Sequence, residues 1–550
     1  MKNTRKLLCL LIAVIMLAGT LAGCASANKD VRNLVTASPP LASPTSGEVS
    51  GRVNVLTIAI TRDENSLTPI TYVSGTPGFD IMRLIYDSLF TISPDNMVIP
   101  WMVEDNYSIS SDMTEFALTL REGLFWQDGT PLTGEDVAFT FDYYKNNYSH
   151  GRWTPISTQV QSVDVNGRDI VIKLEKSNPG FLRAGLADLR IISKNQFSGA
   201  DNPETVPNMG SGAYKVADYK PGEYYTLEAM DNYFRGTPMV KTIRMPIMDA
   251  SAAQQAMIAG EIAAFTGGVS VELIDMLDSN PSIELKSSDG YASTMLVFSC
   301  DRPPFDKPDL RRAISLAIDL DQIIDQITLG NAKKGTAGYV RDGLAEYVKG
   351  LDYKFDRTAA GELLDSLGYS LRDANGMRLK PDGSAFDIEL IASEPRIRIA
   401  ELLKIQLEAV GLSINIATGE AASERVWPEM DTAKPHDYEM ALFGWSAPVI
   451  QRPGAIIWTC SSDYAGSGSL NISHYSNPGF DALADEFLSS IDESVRAGLN
   501  ERMQRIVAED FPFITLYFSD SISAVNSSLY DGWVFPKGSF AVNLFSFLPK

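Results

Sequence analysis

Runs of apolar residues along the chain predict an ordered series of strands and helices. Residues 53–60, VNVLTIAI, form a nearly continuous apolar run rich in β-branched side chains, which predicts a buried strand. Residues 212–229 alternate between apolar and polar on both sides of Pro221-Gly222, which predicts a hairpin that turns at this dipeptide. The segment between these two elements, residues 93–204, carries strand and helix patterns of its own.

Strand patterns and helix patterns take turns in the C-terminal half of the chain. The strand patterns cover residues 386–393, 412–418 and 437–445, and the helix patterns cover residues 396–410 and the surroundings of Ser423. Gly411, directly after the first of these helices, provides its C-terminal stop. The order strand, helix, strand, helix, strand predicts a parallel sheet with crossover helices.

The carboxyl ends of these predicted parallel strands are the first candidate for a binding site. Ligands of open α/β sheets bind beyond the carboxyl ends of the strands, because several loops meet there. In this chain the loops are residues 393–396, residues 418–421 and the segment from Gly444 onward. The alternative is that these segments only connect elements of the sheet.

The N-terminus carries an apolar segment, residues 7–23, after the cationic side chains Lys2, Arg5 and Lys6. A positive region, an apolar region and small residues at its end predict a secretory signal over residues 1–23. A segment of this length is marginal as a membrane span, so an uncleaved N-terminal anchor is the alternative.

The sequence LAGC at residues 21–24 resembles the bacterial lipobox, in which the cysteine is lipid-modified and the signal is cut before it. The resemblance implies a lipoprotein that carries acyl chains such as palmitate on Cys24, and two or more acyl chains anchor a protein stably. Residues 24–51 are rich in Ala, Ser, Pro and Gly without apolar periodicity, which predicts a flexible tether.

Length and charge narrow the possible functions. A chain of 550 residues is too long for one simple core and predicts two or three domains. The whole chain carries a net charge of −22, and the segment before Cys24 holds three cations and no acid, so the remainder carries −25. A surface this acidic argues against nucleic acid, or a bare anionic membrane, as a partner.

Residues with catalytic or metal-binding chemistry are sparse. The three histidines, His150, His436 and His474, are far apart in sequence, and no zinc-protease, paired-cysteine, nucleophile-elbow or phosphate-loop motif occurs. Cys300 and Cys460 either pair in a disulfide or stay reduced, and their spacing does not decide between the two. We therefore expect no cofactor, no metal and no enzyme, with a hydrolase of scattered catalytic residues as the alternative.

Several aromatic residues lie near predicted loops and strand ends, where they suit the enclosure of a ligand. They are Tyr72, Trp126, Trp427, Trp445 and Trp458. For each of them, packing in the core is the alternative.

Six segments resemble, in the same order, the peptide/nickel-binding family of ABC-transporter solute-binding proteins. They are LREGLFWQDGTPLTGEDVAFTFDYY (120–144), GSGAYKV (210–216), DNYFRGTP (231–238), PPFDKPDLRRAISLAIDLDQII (303–324), LLDSLGY (363–369) and YSNPGFDAL (475–483). Together the matches cover about residues 53–545. Ala213 stands where the family usually has a proline.

The resemblance implies an α/β, two-lobed periplasmic-binding-protein-like fold (type II, cluster C) with mixed sheets, a two-strand hinge and a cleft that closes on a solute. The implied divisions are a first lobe at residues 52–92, 205–297 and 514–550, an extra subdomain of that lobe at residues 93–204, and a second lobe at residues 298–513.

The function that the resemblance implies is a solute receptor of an ABC importer. It would capture a peptide-like solute and deliver it to the permease and ATPase subunits, as a monomer held by its lipid anchor on the extracytoplasmic face of the cell membrane. The alternatives are a receptor for a non-peptide solute, such as an oligosaccharide or a metal chelate, and a secreted hydrolase or ligand sensor.

The candidate ligand contacts combine the strand ends with the aromatic residues. They are Tyr72, Arg396, Trp427, Gly444, Trp445 and Ser446. Arg396 either pairs with an acidic group of the ligand or is a solvated surface side chain, and the sequence does not decide between the two.

One position departs from the peptide-binding members of the family. In those members a G-W-x-x-D-Y motif ends the strand, and its aspartate pairs with the α-amino group of the peptide. Pro448 stands at the aspartate position here. We therefore expect peptides with a free amino group to bind weakly, unless Glu394 or Glu420 replaces that carboxylate.

Overall fold

The structure is a computed structural model that describes residues 51–70, 78–146, 153–200, 202, 205–426, 436–445, 454–465 and 470–550. The predicted signal segment and most of the tether lie outside the described residues. So do Cys24, Tyr72, His150, Trp427, Ser446 and Pro448.

The described strands follow one another along the whole chain. They are β1 (Val53–Ala59), β2 (Phe90–Ile92), β3 (Val98–Pro100), β4 (Ser108–Ile109), β5 (Glu115–Thr119), β6 (Val160–Asn166), β7 (Asp169–Leu174), β8 (Tyr214–Lys220), β9 (Tyr224–Ala229), β10 (Val240–Pro246), β11 (Ala264–Phe265), β12 (Ile283–Phe298), β13 (Ala332–Lys334), β14 (Asp387–Ile391), β15 (Ser413–Ala417), β16 (Met440–Phe443) and β17 (Phe513–Asn526).

The described α-helices lie between these strands. They are α1 (Gly78–Ile85), α2 (Gly134–Asn146), α3 (Thr154–Ser157), α4 (Lys194–Phe197), α5 (Ala250–Ile258), α6 (Ile274–Asp278), α7 (Pro308–Ala317), α8 (Leu320–Ile327), α9 (Arg357–Ser366), α10 (Ile397–Glu408), α11 (Glu420–Val426), α12 (Ala455–Cys460), α13 (Pro478–Ser489) and α14 (Glu493–Asp510). Short 3₁₀ turns at Val271–Leu273 and Glu394–Arg396 precede α6 and α10.

One sheet of eleven strands runs through the molecule in the order β15-β14-β16-β12-β17-β11-β1-β10-β9-β8, with β13 paired to β17. Strands β14, β15 and β16 are parallel, as the alternation of strand and helix patterns predicts. Strands β8 and β9 form the predicted hairpin, and Gly222 in its turn has a φ of 71°. Two smaller sheets, β2-β3 and β4-β5-β7-β6, complete the fold.

The antiparallel pair β12 and β17 joins two lobes. We call the part with β1 and β8–β11 lobe I and the part with β14–β16 lobe II. The β12–β17 register shifts between Ser288 and Ala292, where the pair passes from one lobe to the other. Gly290 is required at this crossing, because a β-carbon there would lie 1.6 Å from the carbonyl oxygen of Ser519. The two-lobed α/β fold with a two-strand hinge is therefore confirmed.

Strand alternation builds two core layers in lobe II, one on each face of its sheet. Leu296 and Phe298 of β12 point into a cluster with α7–α10, whereas Met295 and Val297 point into a second cluster with α11–α14. Both faces are therefore covered, and the edges at the strand ends remain as places for a ligand.

Lobe I shares one continuous core with the four-stranded sheet. Phe116 and Ile172 of that sheet belong to the same buried cluster as Tyr214 and Leu227 of the hairpin. The residue boundaries of the lobes and the subdomain stay a prediction. The predicted buried strand at residues 53–60 is buried only from Leu56, since Val55 is 54% exposed and the short β11 pairs only with the end of β1.

Candidate functional site

The carboxyl ends of the parallel strands in lobe II lie beside the hinge. The backbone N–H of Ser293, just past the crossing in β12, donates to the carbonyl oxygen of Trp445 at 2.9 Å. Since β14 and β15 run parallel to β16, their carboxyl ends lie at the same edge. The three loops that the sequence singles out are therefore together, facing lobe I.

The strands of lobe I present the same kind of edge to the hinge. Strand β11 is parallel to β1 and antiparallel to β17, so the carboxyl ends of β1 and β11 point back toward the crossing. Thr61 and Thr266, which follow β1 and β11, are hydrogen-bonded to each other at this edge. The Thr61 N–H donates to Thr266 Oγ1 at 3.1 Å, and Thr61 Oγ1 lies 3.2 Å from the Thr266 carbonyl oxygen.

An ion pair joins the two edges across the cleft. Nη1 of Arg398, in lobe II, lies 2.8 Å from Oε1 of Glu272, in lobe I. The two side chains are 62% and 52% exposed, so this contact lies at the solvent side of the cleft. The cleft is thus bounded by strand ends of both lobes and spanned at its rim by one pair of charges.

Arg396 is the cation of the lobe II edge. Its Nη1 donates to Ser393 Oγ at 3.1 Å, and its Nη2 would lie 3.4 Å from a β-carbon added at Gly444. Burial lowers the pKa of Arg396, and Tyr517 of β17 partly offsets that effect. Among the described residues no carboxylate forms an ion pair with this guanidinium. Its position therefore favours an anion that comes from outside the described chain.

Gly444 is fixed as glycine by the neighbouring strand. A β-carbon at this position would lie 2.0 Å from the carbonyl oxygen of Ser293, closer than any real contact. The close approach keeps the end of β16 against β12 and leaves the backbone of Gly444 beneath Nη2 of Arg396. The residue type therefore follows from packing at the cleft.

Trp445 is almost enclosed at the cleft edge. It is 6% exposed, belongs to the second core cluster of lobe II and contacts the ring of Phe443 edge-on at 5.2 Å. A ligand contact of Trp445 stays a prediction. Trp126 is a core residue of lobe I, and Trp458 packs on Tyr464 at 4.7 Å.

The structure brings together three of the six predicted contacts, Arg396, Gly444 and Trp445, and the other three lie outside the described residues. Glu394 and Glu420 are exposed at the same edge. Ser293 and Tyr517, which flank the site, were missed from the sequence because they come from the hinge strands. No spacing in the sequence reveals how those strands pair.

Both described cysteines are free thiols, which decides between the two alternatives for Cys300 and Cys460. Burial raises the pKa of Cys300 to about 12 and raises that of Cys460 as well. Burial therefore disfavours the thiolate, the nucleophilic form, at both positions.

Over the described ranges, none of the helices has the length and the apolar composition that crossing a bilayer requires.

Known proteins resemble this chain over most of its length. Residues 97–467 match the family described as bacterial extracellular solute-binding proteins, family 5. The oligopeptide-binding protein AppA of Bacillus subtilis is 24% identical over 487 residues, covering 85% of this chain and 86% of that protein. The glutathione-binding protein GsiB of Salmonella typhi is 23% identical over 473 residues, covering 84% of this chain and 88% of that protein.

Solved structures share the fold. The structure of Bacillus subtilis AppA in complex with a nonapeptide has a TM-score of 0.78 at 20% identity and covers 91% of this chain and 100% of that one. The structure of NikZ from Campylobacter jejuni in complex with Ni(L-His) has a TM-score of 0.77 at 19% identity, with 91% and 100% covered.

Proposed function

The chain belongs to family 5 of the bacterial extracellular solute-binding proteins, and from this premise we propose that it captures a peptide-like solute with an anionic group between its two lobes. The solute is then passed to the permease of an ABC importer, which draws its energy from the ATPase subunits. The observation that carries the anionic group is Arg396, a cation at the cleft edge without a carboxylate partner among the described residues.

Electrostatics supports this choice of solute. A guanidinium that loses water on cleft closure carries a desolvation cost, which an ion pair with a carboxylate offsets. The fork of an arginine also matches a carboxylate in two parallel hydrogen bonds. Oligopeptides and glutathione, the ligands named for two relatives, both carry carboxylates.

The backbone at the strand ends supports an extended peptide. The Trp445 backbone is already hydrogen-bonded to Ser293, so the groups that we propose for main-chain contacts with an extended peptide are those of Gly444 and Ser446. Pro448 has neither charge nor N–H, so the α-amino group of a peptide has no partner at that position. We therefore propose peptides with a blocked or sequestered amino terminus as the preferred class.

Lipid anchoring through Cys24 is part of the proposal and rests on the lipobox and the tether that follows it. Replacement of Cys24 by Ser should leave the chain unacylated, so the membrane fraction after a high-salt wash should lose it. Retention of the Cys24→Ser variant at the wild-type level would contradict the lipid anchor and leave the uncleaved segment as the membrane attachment.

The solute proposal is tested by calorimetry on the full-length chain in detergent. The titrants are one nonapeptide and glutathione, both N-acetylated, each in its free-carboxylate form and in its amidated form. We expect the free-carboxylate forms to bind and the amidated forms to lose at least about tenfold in affinity, or about 1.4 kcal/mol. Equal affinities for both forms would contradict recognition of a carboxylate.

A further inference from the structure

Two of the three histidines of the chain meet at the outer end of the lobe II sheet, opposite the cleft. Strands β12 and β16 are antiparallel and end their pairing at Phe298 and Met440, and His436 precedes that end. His474 lies in the loop before α13. The two imidazole rings stack with their centroids 3.4 Å apart and their planes 17° from parallel.

Asp301 completes this cluster. Its Oδ1 lies 3.0 Å from Nε2 of His436, and one ligand atom from each of the three residues lies within 4.8 Å of the other two. The His436 side chain is 5% exposed, whereas that of Asp301 is 41% exposed. The cluster is therefore walled by protein on the histidine side and open to solvent on the carboxylate side.

The backbone around the cluster is tied to the sheet. The Ser299 N–H donates to the carbonyl oxygen of Glu439 at 3.1 Å, and the Cys300 N–H donates to that of Ser473 at 2.9 Å. These bonds connect the three segments that carry the cluster. Because these elements are rigid, the backbone of the site needs little reordering when an ion binds.

We propose that Asp301, His436 and His474 bind one divalent first-row transition ion, with Zn²⁺ as its representative. Imidazole nitrogens and a carboxylate oxygen suit such ions, which they ligate at about 2.0–2.2 Å. Ligand atoms at that distance lie about 3.4 Å apart in a tetrahedral site. The ion therefore brings the three donor atoms to about this spacing, which lengthens the 3.0 Å contact between Asp301 and His436 and tilts the stacked rings, and solvent on the Asp301 side supplies a fourth ligand.

The Arg302 guanidinium opposes the ion. Its Nη2 lies 3.3 Å from Nε2 of His436, and its Nη1 lies 3.3 Å from Oδ1 of Asp437. Because Arg302 also donates to the carbonyl oxygen of His436 at 2.8 Å and contacts Asp437, it can leave the imidazole of His436 and keep these partners. The alternative to a metal site is a structural histidine stack held by Arg302 and Asp301. Removal of Arg302 should strengthen Zn²⁺ binding at a metal site, whereas it should only weaken a structural stack.

The test is calorimetry of the full-length chain, stripped with a chelator, against ZnCl₂. We expect one ion per chain and a higher melting temperature with Zn²⁺, because the ion binds the folded state. Since removal of a group that only supports a ligand costs about 10–100-fold in metal affinity, His474→Gln should cost at least about 100-fold. Asp301→Asn should weaken binding in the same direction.

Three variants and a spectrum separate the alternatives. His150→Gln, which alters the remaining histidine, should bind Zn²⁺ as the wild type does, and Arg302→Gln should bind it more tightly. Co²⁺ should give a visible d–d absorption that His474→Gln loses. His436 is buried, so a His436→Gln variant is compared only if its unfolding stays cooperative. The other variants carry the test if it does not.

The proposal is overturned if the wild type binds no Zn²⁺, or if Asp301→Asn and His474→Gln both bind it as the wild type does. Weaker binding by an Arg302→Gln variant that unfolds as cooperatively as the wild type would also overturn it, because the removed guanidinium opposes an ion at this place.

Discussion

The two ends of the lobe II sheet differ in the groups that they present to a ligand. At the cleft end, Arg396 is a cation with no carboxylate partner among the described residues. At the outer end, about 17 Å of strand away from Ser293 to Phe298, the imidazoles of His436 and His474 lie beside the carboxylate of Asp301. The same strands therefore carry an expected anion site at one edge and an expected cation site at the other.

This contrast teaches where a sheet covered on both faces keeps its chemistry. Core clusters occupy both faces of the lobe II sheet, so its interior strands are committed to packing. The hydrogen bonds between neighbouring strands stop at the strand ends, so the groups there are available to bind a ligand. The guanidinium at the cleft end then indicates an anionic ligand, and the imidazole and carboxylate groups at the outer end indicate a metal ion.

The largest expected effect comes from removal of the cleft cation. Arg396→Met keeps most of the side-chain volume but removes the charge, so an anionic solute should lose about 2 kcal/mol or more, roughly 30-fold in Kd. Calorimetry measures the change. Zn²⁺ binding at the outer end should stay as in the wild type.

Arg398→Met is the matched control for Arg396→Met. Arg398 is two residues away but exposed at the cleft rim, so its removal should cost much less solute affinity than the loss of Arg396. Equal losses of solute affinity in the two variants would indicate a general electrostatic effect of lobe II. They would contradict a specific anion site at the cleft end.

Gly444→Ala should have the next largest effect. The added β-carbon would meet the carbonyl oxygen of Ser293 at 2.0 Å, so β16 must move from β12 at the cleft end. We expect a loss of about 1–3 kcal/mol in unfolding free energy, together with weaker solute binding. Denaturant unfolding measures the first quantity and calorimetry the second.

Gly498→Ala is the control for that variant. Gly498 lies inside α14 with nothing within 4 Å of an added β-carbon, so alanine should stabilise the helix by about 0.5–1 kcal/mol. If Gly444→Ala were as stable as the wild type, the close approach of the two strands at the cleft would be wrong.

The rim ion pair should matter less. Glu272→Gln and Arg398→Met each remove the exposed contact between the lobes, and such pairs contribute about 0.2–1 kcal/mol. Solute affinity should fall by at most about fivefold, and the difference should shrink at 1 M salt because exposed charges are screened. A loss that persists at high salt would assign the pair a larger role in closure.

The smallest expected effect concerns the amino end of the solute. Because Pro448 replaces the family's aspartate, N-acetylation of a peptide should not weaken its binding. Calorimetry with one peptide in free and acetylated forms measures this. Tight binding of the free form alone, surviving Glu394→Gln and Glu420→Gln, would mean that another group pairs with the ammonium.

The sequence predicts the cleft end of lobe II far better than its outer end. Strand and helix periods identify β14–β16, and parallel order alone places Arg396 and Gly444 at one edge. Their neighbours Ser293 and Tyr517 depend on the register of the long hinge strands, which no local pattern encodes.

The outer end could not be predicted because its residues are distant in sequence. Asp301, His436 and His474 follow no metal-binding spacing and meet only through tertiary pairing. His436 and His474 are therefore isolated in the sequence, which leads to the expectation of no metal. One available signal was the position of His436 directly before the predicted strand at residues 437–445.

The central claim is that an anionic solute binds between the lobes at Arg396. Mass spectrometry of the small molecules released on denaturation of the purified full-length chain tests it most directly. We expect a carboxylate-bearing solute at about one per chain in the wild type and in Arg398→Met, and its loss from Arg396→Met. A neutral solute, or the same solute at equal occupancy in Arg396→Met, would contradict the account.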